Sequence, residues 1–166
     1  MNKYRARIPA FILQDLNLFA DQTALENVAF SLTRYGENYR FALDAAEEML
    51  REVGIDLPKA KRLPSQLSGG EKQRVAIARA LLANKFGGAE VILADEPTAA
   101  VDSEDAELVF QMLLDQAREQ SVPVIIVTHD DELASRADRK LFFKGGLLTK
   151  PKPSPRKTQP KGAANS

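Results

Sequence analysis

Residues 91–102 read VILADEPTAAVD, a short apolar run that ends on two adjacent carboxylates and a proline. Val91 to Ala94, with Gly87 and Gly88 behind and Asp95, Glu96 and Pro97 ahead, has the length and punctuation of a buried parallel strand. Working outward, Val122 to Val127 and Ile8 to Leu13, the latter with Pro9 at its start, suit further strands. Helical spacing of apolar residues fills the intervals, from Leu25 to Leu32 and from Phe41 to Val53, where Phe41 and Ala45 lie on the stripe and Gly54 is the stop. Behind Ser68 as N-cap, Glu71 to Ala83 turns Val75, Ala78, Leu81 and Leu82 inward and leaves Lys72, Arg74 and Arg79 on its surface. Glu104 to Glu119 is read with Leu108, Met112 and Leu113 inward, and Glu132 to Ala137 as a short helix. Lys140 to Phe143 and Leu147 to Leu148 then form a hairpin turning at Gly145 and Gly146. Strands alternating with helices predict an α/β fold with a parallel sheet, in which ligands gather at the C-terminal strand ends. Gln14, the pair Asp95 and Glu96, and His129 each follow a predicted strand, as the residues of one shared site would.

Composition excludes much else. At 166 residues and 44% hydrophobic the chain supports one core. No apolar stretch is long enough to span a bilayer, and Ile8 to Leu13 is too short for a secretory signal, so a cytoplasmic location is expected. With no cysteine there is no thiolate metal site and no cysteine nucleophile, and one histidine rules out a histidine cluster. Lys150, Lys152, Arg156, Lys157 and Lys161 leave the rest of the chain mildly acidic, so a nucleic-acid partner would rest on the tail alone and none is expected. Residues 149–166, basic and proline-rich without bulky apolar residues, read as a disordered tail.

Leu67 to Leu81 reads LSGGEKQRVAIARAL. Two glycines let backbone amides approach an anion, Ser68 adds a hydroxyl, and the helix that begins there directs its positive dipole end to the same place. A bare Ser-Gly-Gly is no more than a flexible cap, but the whole string closely resembles the signature motif of the ATP-binding cassette (ABC) ATPases. The other segments follow in the order that family uses. FILQDLNLFADQTALENV, residues 11–28, resembles its Q-loop, VILADEPTAAVD its Walker B strand and D-loop, and VPVIIVTHDDELASRADR, residues 122–139, its switch region. Taken singly, a glutamine after a strand signals nothing, an Asp-Glu pair is commonly a solvated or capping pair, and a lone histidine is commonly structural. The D-loop departs slightly, with Ala99, Ala100 and Val101 where glycine is usual.

The resemblance covers about residues 3–148, and the segments RAR, DLNLFADQTALENV and THDDELASRADR look most like the lipoprotein-release and macrolide-export branch. It implies a P-loop NTPase (RecA-like) parallel sheet with a helical signature subdomain. Residues 1–148 would be a partial ATPase domain, with 15–84 its Q-loop and signature part and 85–148 its Walker B to switch part. It implies ATP and Mg2+ as cofactors. Asp95 would hold the magnesium through water, Glu96 polarise the attacking water and His129 contact the transferred phosphate. Gln14 would sense the metal and link the site to a transmembrane permease. Ser68, Gly69, Gly70 and Asp102 would reach across a head-to-tail dimer to a second ATPase chain. The place of action would be the inner face of the plasma membrane, through the membrane partner.

One element of that family is absent from these residues. The phosphate-binding G-x-x-x-x-G-K-[ST] loop needs glycine followed by lysine, and none of the nine glycines is. The sheet is therefore expected to be incomplete, without the P-loop strand and helix, leaving Val91 to Ala94 and Val124 to Val127 short of a neighbour. The leading expectation is an N-terminally truncated transporter ATPase, inactive by itself, that would power export or lipoprotein release. The alternatives are a non-hydrolysing accessory chain that donates its signature in trans and a non-functional remnant. A chromosome-organising or DNA-repair ATPase would need a long coiled coil between Gln14 and Ser68, where only 53 positions lie.

Overall fold

The computed structural model describes residues 9–87, 90–99, 101, 103–119 and 121–149. The described residues divide into two compact units, one ending at His129 and the other beginning at Asp130.

In the first unit, β1 (Ala10–Ile12), β2 (Ile92–Asp95) and β3 (Val124–Val127) form a parallel sheet in that order. Ile12 lies opposite Ala94, and Ala94 opposite Ile126, so the three strands end at nearly the same level. Pro9 falls just before β1 and Pro123 just before β3, where a missing N–H breaks no ladder bond. Alternation places Ala10, Ile12, Ile92 and Ala94 on the buried face, with α4 (Gly69–Gly87) against β1 and α5 (Ser103–Glu119) against β3. Phe11, Ile125 and Val127 project on the other face and are exposed. The expectation of two unpartnered strands is thus half corrected. β2 is the central strand, because β1 and β3 pair with its two edges, while β3 has a neighbour on one side only among the described residues.

The helices of this unit are set by their ends. Thr23 caps α1 (Ala24–Thr33): its hydroxyl accepts the Glu26 N–H at 3.2 Å, and the Glu26 carboxylate accepts the Thr23 N–H at 2.8 Å. Such a reciprocal cap contributes about 1 kcal/mol. Asn38 caps α2 (Tyr39–Glu52), and Gly54, at φ +75°, ends it with Ile55 N–H returning to the Leu50 carbonyl at 2.8 Å. Asp56 caps the single-turn α3 (Leu57–Ala60), and a 3-10 turn at Pro64–Gln66 leads to Ser68. Helices α1, α2 and α4 pack on one another, with Val28, Leu32, Leu50, Ile77 and Leu82 at the centre of the core.

Several inward assignments shift by one position. On α2 the buried residues are Ala42 and Ala46 rather than Phe41 and Ala45, and Phe41 lies exposed with its ring edge-on to Phe86. On α5 Val109, Phe110 and Leu113 are buried, whereas Leu108 is exposed. Along α4 the buried set extends beyond the expected stripe to Gln73, Ala76, Ile77 and Ala80, because packing reaches this helix from more than one side.

In the second unit, Asp130 caps the short α6 (Asp131–Ala134) through the N–H groups of Glu132 and Leu133. Strands β4 (Phe142–Lys144) and β5 (Leu147–Thr149) pair antiparallel around Gly145 and Gly146, both at positive φ as a tight two-residue hairpin turn requires. All six strand residues are exposed. Among the described residues no helix is long and apolar enough to cross a membrane. Apart from Thr149, the tail 149–166 lies outside the described residues.

Candidate functional site

The ends of β2 and β3 carry a cluster of polar side chains. Asp95 is the last residue of β2 and is exposed. Glu96 then leaves the strand at φ +45°, a left-handed conformation that is unfavourable for a residue with a side chain. Its own N–H continues the ladder to the Val127 carbonyl at 2.9 Å, so the backbone reverses without losing its strand partner. The side chain reaches the tip of β3. Glu96 Oε1 accepts the backbone N–H of His129 at 3.1 Å and lies 2.8 Å from His129 Nδ1, while Oε2 accepts the Thr128 hydroxyl at 3.4 Å. The turn at Glu96 parts the two adjacent carboxylates: Asp95 remains at the exposed tip while Glu96 is folded onto the next strand.

Gln14 lies two residues past Ile12, as Glu96 lies two past Ala94, so the two follow paired strands at the same level. Gln14 is exposed at the head of a tight loop. Leu16 and Asn17 in that loop are both left-handed, at φ +57° and +45°. Two side chains from other segments hold it. From α4, Arg79 donates Nη1–H to the Asn17 carbonyl at 2.7 Å and Nη2–H to the Leu16 carbonyl at 2.6 Å. From α1, fully buried Asn27 accepts the Phe19 N–H at 2.7 Å and donates to the Phe19, Gln22 and Thr23 carbonyls, each at 3.0 Å. Arg79 was expected on the solvent surface. It is half-buried, and burial lowers its pKa from the ordinary guanidinium value, although an arginine remains charged.

Ser68, Gly69 and Gly70 open α4 at the surface, with Ser68 and Gly69 exposed. The Ser68 hydroxyl accepts the Glu71 N–H at 3.2 Å, and the Glu71 carboxylate accepts the Ser68 N–H at 2.9 Å while pairing with Lys59 Nζ at 3.0 Å. The Ser68 N–H first, and then Lys59, hold the Glu71 carboxyl below its ordinary pKa. The amides of Gly69 and Gly70, at the first positions of the helix, have no preceding turn to bond. The structure thus joins Glu96, Thr128 and His129 directly and places Gln14 beside the same sheet end. Among the described residues it shows no hydrogen bond from Ser68 to Gly70 to that cluster. Asp102 lies outside the described residues.

The donor set suits a magnesium nucleotide in part. An exposed Asp95 supplies a hard oxygen for a hydrated cation, and the start of α4 offers amides to a phosphate. Among the described residues no group of three or more acidic or histidine side chains is placed to hold a metal ion by itself. Sequence reading missed Arg79, Asn27 and Thr128 as contributors here. An S-x-x-E pattern at Ser68 and Glu71 signalled the capping box, whereas nothing local signalled where Arg79 or Asn27 would reach.

Comparison with known proteins follows the same lines. A family model described as ABC transporter matches residues 1–99. The chain is 42% identical over 148 residues to the macrolide export ATP-binding/permease protein MacB of Mannheimia succiniciproducens, covering 89% of this chain and 22% of that protein. It is 43% identical over 138 residues to the lipoprotein-releasing system ATP-binding protein LolD of Rickettsia bellii, covering 83% of this chain and 60% of that protein. Among solved structures it resembles the ATP-binding cassette MJ0796, in a dimeric structure and in a dimeric post-hydrolysis state bound to ADP and Pi. Each superposes with TM-score 0.78 at 36% identity, over 87% of this chain and 62% of the other. The chain therefore spans less than two thirds of the length of these relatives.

Proposed function

The chain belongs to the ABC transporter family, and from that membership we propose that it acts as the signature- and Walker B-bearing part of a transport ATPase. Its α/β fold is that of the ABC ATPase cassettes, a P-loop NTPase fold. The observation that carries the reading is the junction of the β2 and β3 tips, where Glu96 is held by Thr128 and His129.

In this reading Asp95 holds magnesium through water, and Glu96, oriented by its three donors, accepts the proton of the attacking water. His129 stands beside it to meet the transferred phosphate, and Gln14 approaches from the neighbouring strand. MgATP, when bound, would supply a γ-phosphoryl group whose transfer to water, releasing ADP and phosphate, drives transport. Ser68, Gly69 and Gly70 serve a nucleotide held by a second cassette chain in a head-to-tail pair, to which Asp102 also contributes. The dimeric, ADP- and Pi-bound form of MJ0796 supports that arrangement. A groove of about 330 Å³, lined by Phe11, Leu13, Phe19, Phe30 and Tyr35 beside the Gln14 loop, offers a transmembrane permease its foothold. The site of action is then the cytoplasmic face of the plasma membrane, and the work is export or lipoprotein release, as in the names of the two relatives.

A second reading is favoured by the state of α4. Its N-terminus is exposed and capped by its own Ser68 and Glu71, so it is equipped to meet a nucleotide held by another chain. One experiment tests the shared premise: mix the chain with a complete homologous ATPase whose own signature is disabled. Restored hydrolysis that Gly69→Asp abolishes supports the reading, since a carboxylate there repels phosphate. Stimulation that survives Gly69→Asp, or none at all, counts against it.

A further inference from the structure

Arg79 sits on α4 eleven residues past Ser68, about 16 Å along the helix axis. Its guanidinium spans two successive carbonyls, those of Leu16 and Asn17, at 2.6 and 2.7 Å. Both of those residues are left-handed, and Leu16, with a bulky side chain, is an unfavourable occupant of that conformation. The loop's own bonds are few: Leu16 N–H to the Leu13 carbonyl at 2.9 Å and Asn17 N–H to the Asp15 carbonyl at 2.6 Å. Something outside the loop must therefore stabilise the turn, and a planar fork with two parallel N–H groups matches two adjacent carbonyls where a single ammonium does not.

We propose that Arg79 is a positioning residue: by clamping Leu16 and Asn17 to the signature helix, it sets where the loop that begins at Gln14 stands. The functional meaning of the clamp rests on the reading of Gln14 as a nucleotide-side group, while the clamp itself does not. The structure provides an internal reference. The Phe19 N–H, two residues beyond Asn17, is held by Asn27 from α1 and owes nothing to Arg79. Loss of the clamp thus loosens Leu16 and Asn17 and spares Phe19.

Amide hydrogen exchange, followed residue by residue on the full chain without nucleotide, reads this directly. In Arg79→Lys, exchange at Leu16 and Asn17 rises roughly tenfold or more, since each charge-assisted bond is worth at least about that factor, and exchange at Phe19 is unchanged. In Arg79→Ala, millimolar propylguanidinium restores protection at Leu16 and Asn17, and propylammonium does not. No change at Leu16 and Asn17, an equal rise at Phe19, or rescue by both cations overturns the proposal. Should both variants fail to fold, the unmodified chain still decides. Slowly exchanging Arg79 Nη–H signals coupled across hydrogen bonds to the Leu16 and Asn17 carbonyls support the clamp, and one averaged, fast-exchanging signal overturns it. Because no nucleotide or partner enters these measurements, their failure is separable from failure of the trans-hydrolysis test.

Discussion

Glu96 Oε1 lies 2.8 Å from Nδ1 of His129 and also accepts that residue's backbone N–H at 3.1 Å, across 33 positions of sequence. A carboxylate has only acceptors, so with Glu96 ionised Nδ1 carries the proton of the pair. Glu96→Gln preserves an oxygen for both donors but removes the base. When the chain is joined to a segment supplying a Walker A loop, turnover is expected to fall roughly 10²- to 10⁴-fold while nucleotide stays bound. Steady-state ATPase measurement beside equilibrium nucleotide binding checks both halves, and unchanged turnover would remove Glu96 from the role of base.

The chain alone is expected to bind MgATP far more weakly than a complete cassette. No glycine here is followed by the lysine that anchors phosphate, and each lost charge-assisted contact worth about 1.4 kcal/mol weakens binding tenfold. Titration calorimetry giving micromolar affinity for the unaccompanied chain would contradict this.

Asn27 is fully buried and its amide serves four backbone groups of the segment 19–23. Asn27→Leu keeps the branched heavy-atom skeleton, with bulkier methyl groups in place of the amide, and leaves the Phe19 N–H and three carbonyls without that partner. A loss of about 2–4 kcal/mol is expected, typical of unsatisfied buried polar groups. Urea denaturation of the two proteins measures it, and a change within 0.5 kcal/mol, the usual range for surface substitutions, would show that the amide is not a structural lock.

The pH dependence of the α4 cap has a definite sign. The Ser68 N–H and Lys59 lower the Glu71 pKa, so the interaction stabilises the fold above the ordinary glutamate value and is lost as pH falls through the folded value. Glu71→Gln is therefore expected to be less stable than the unmodified chain near neutrality, with the difference shrinking on acidification below that folded pKa. Thermal melts across an acid series test this, and a difference that grows with acid would be the wrong sign.

Much of the fold was legible because its signals are local. The apolar run before Asp95, the stop at Gly54 and the hairpin turn at Gly145 and Gly146 express preferences of a few adjacent residues. Periodicity assigns a helix its buried side less finely, since one residue turns the face by about 100°. Period alone puts Phe41 and Leu108 on the inward face for that reason, and their neighbours Ala42 and Val109 occupy the core instead. The position of the packing helix, not hydrophobicity, makes that choice.

For the candidate site, the places of Gln14, Asp95, Glu96 and His129 at or just past strand ends were readable from the chain alone, because a strand that ends on polar residues delivers them to that end of the sheet wherever the strand lies. Their mutual arrangement was not. The turn of Glu96 onto His129 and the reach of Arg79 to Leu16, 63 positions away, arise only when distant segments are brought within hydrogen-bond range. Capping and turn preferences act within about four residues and are written in order along the chain. A charge-assisted bond between α4 and the Gln14 loop is worth its energy only once packing of the core has already paid the entropy of bringing the two together.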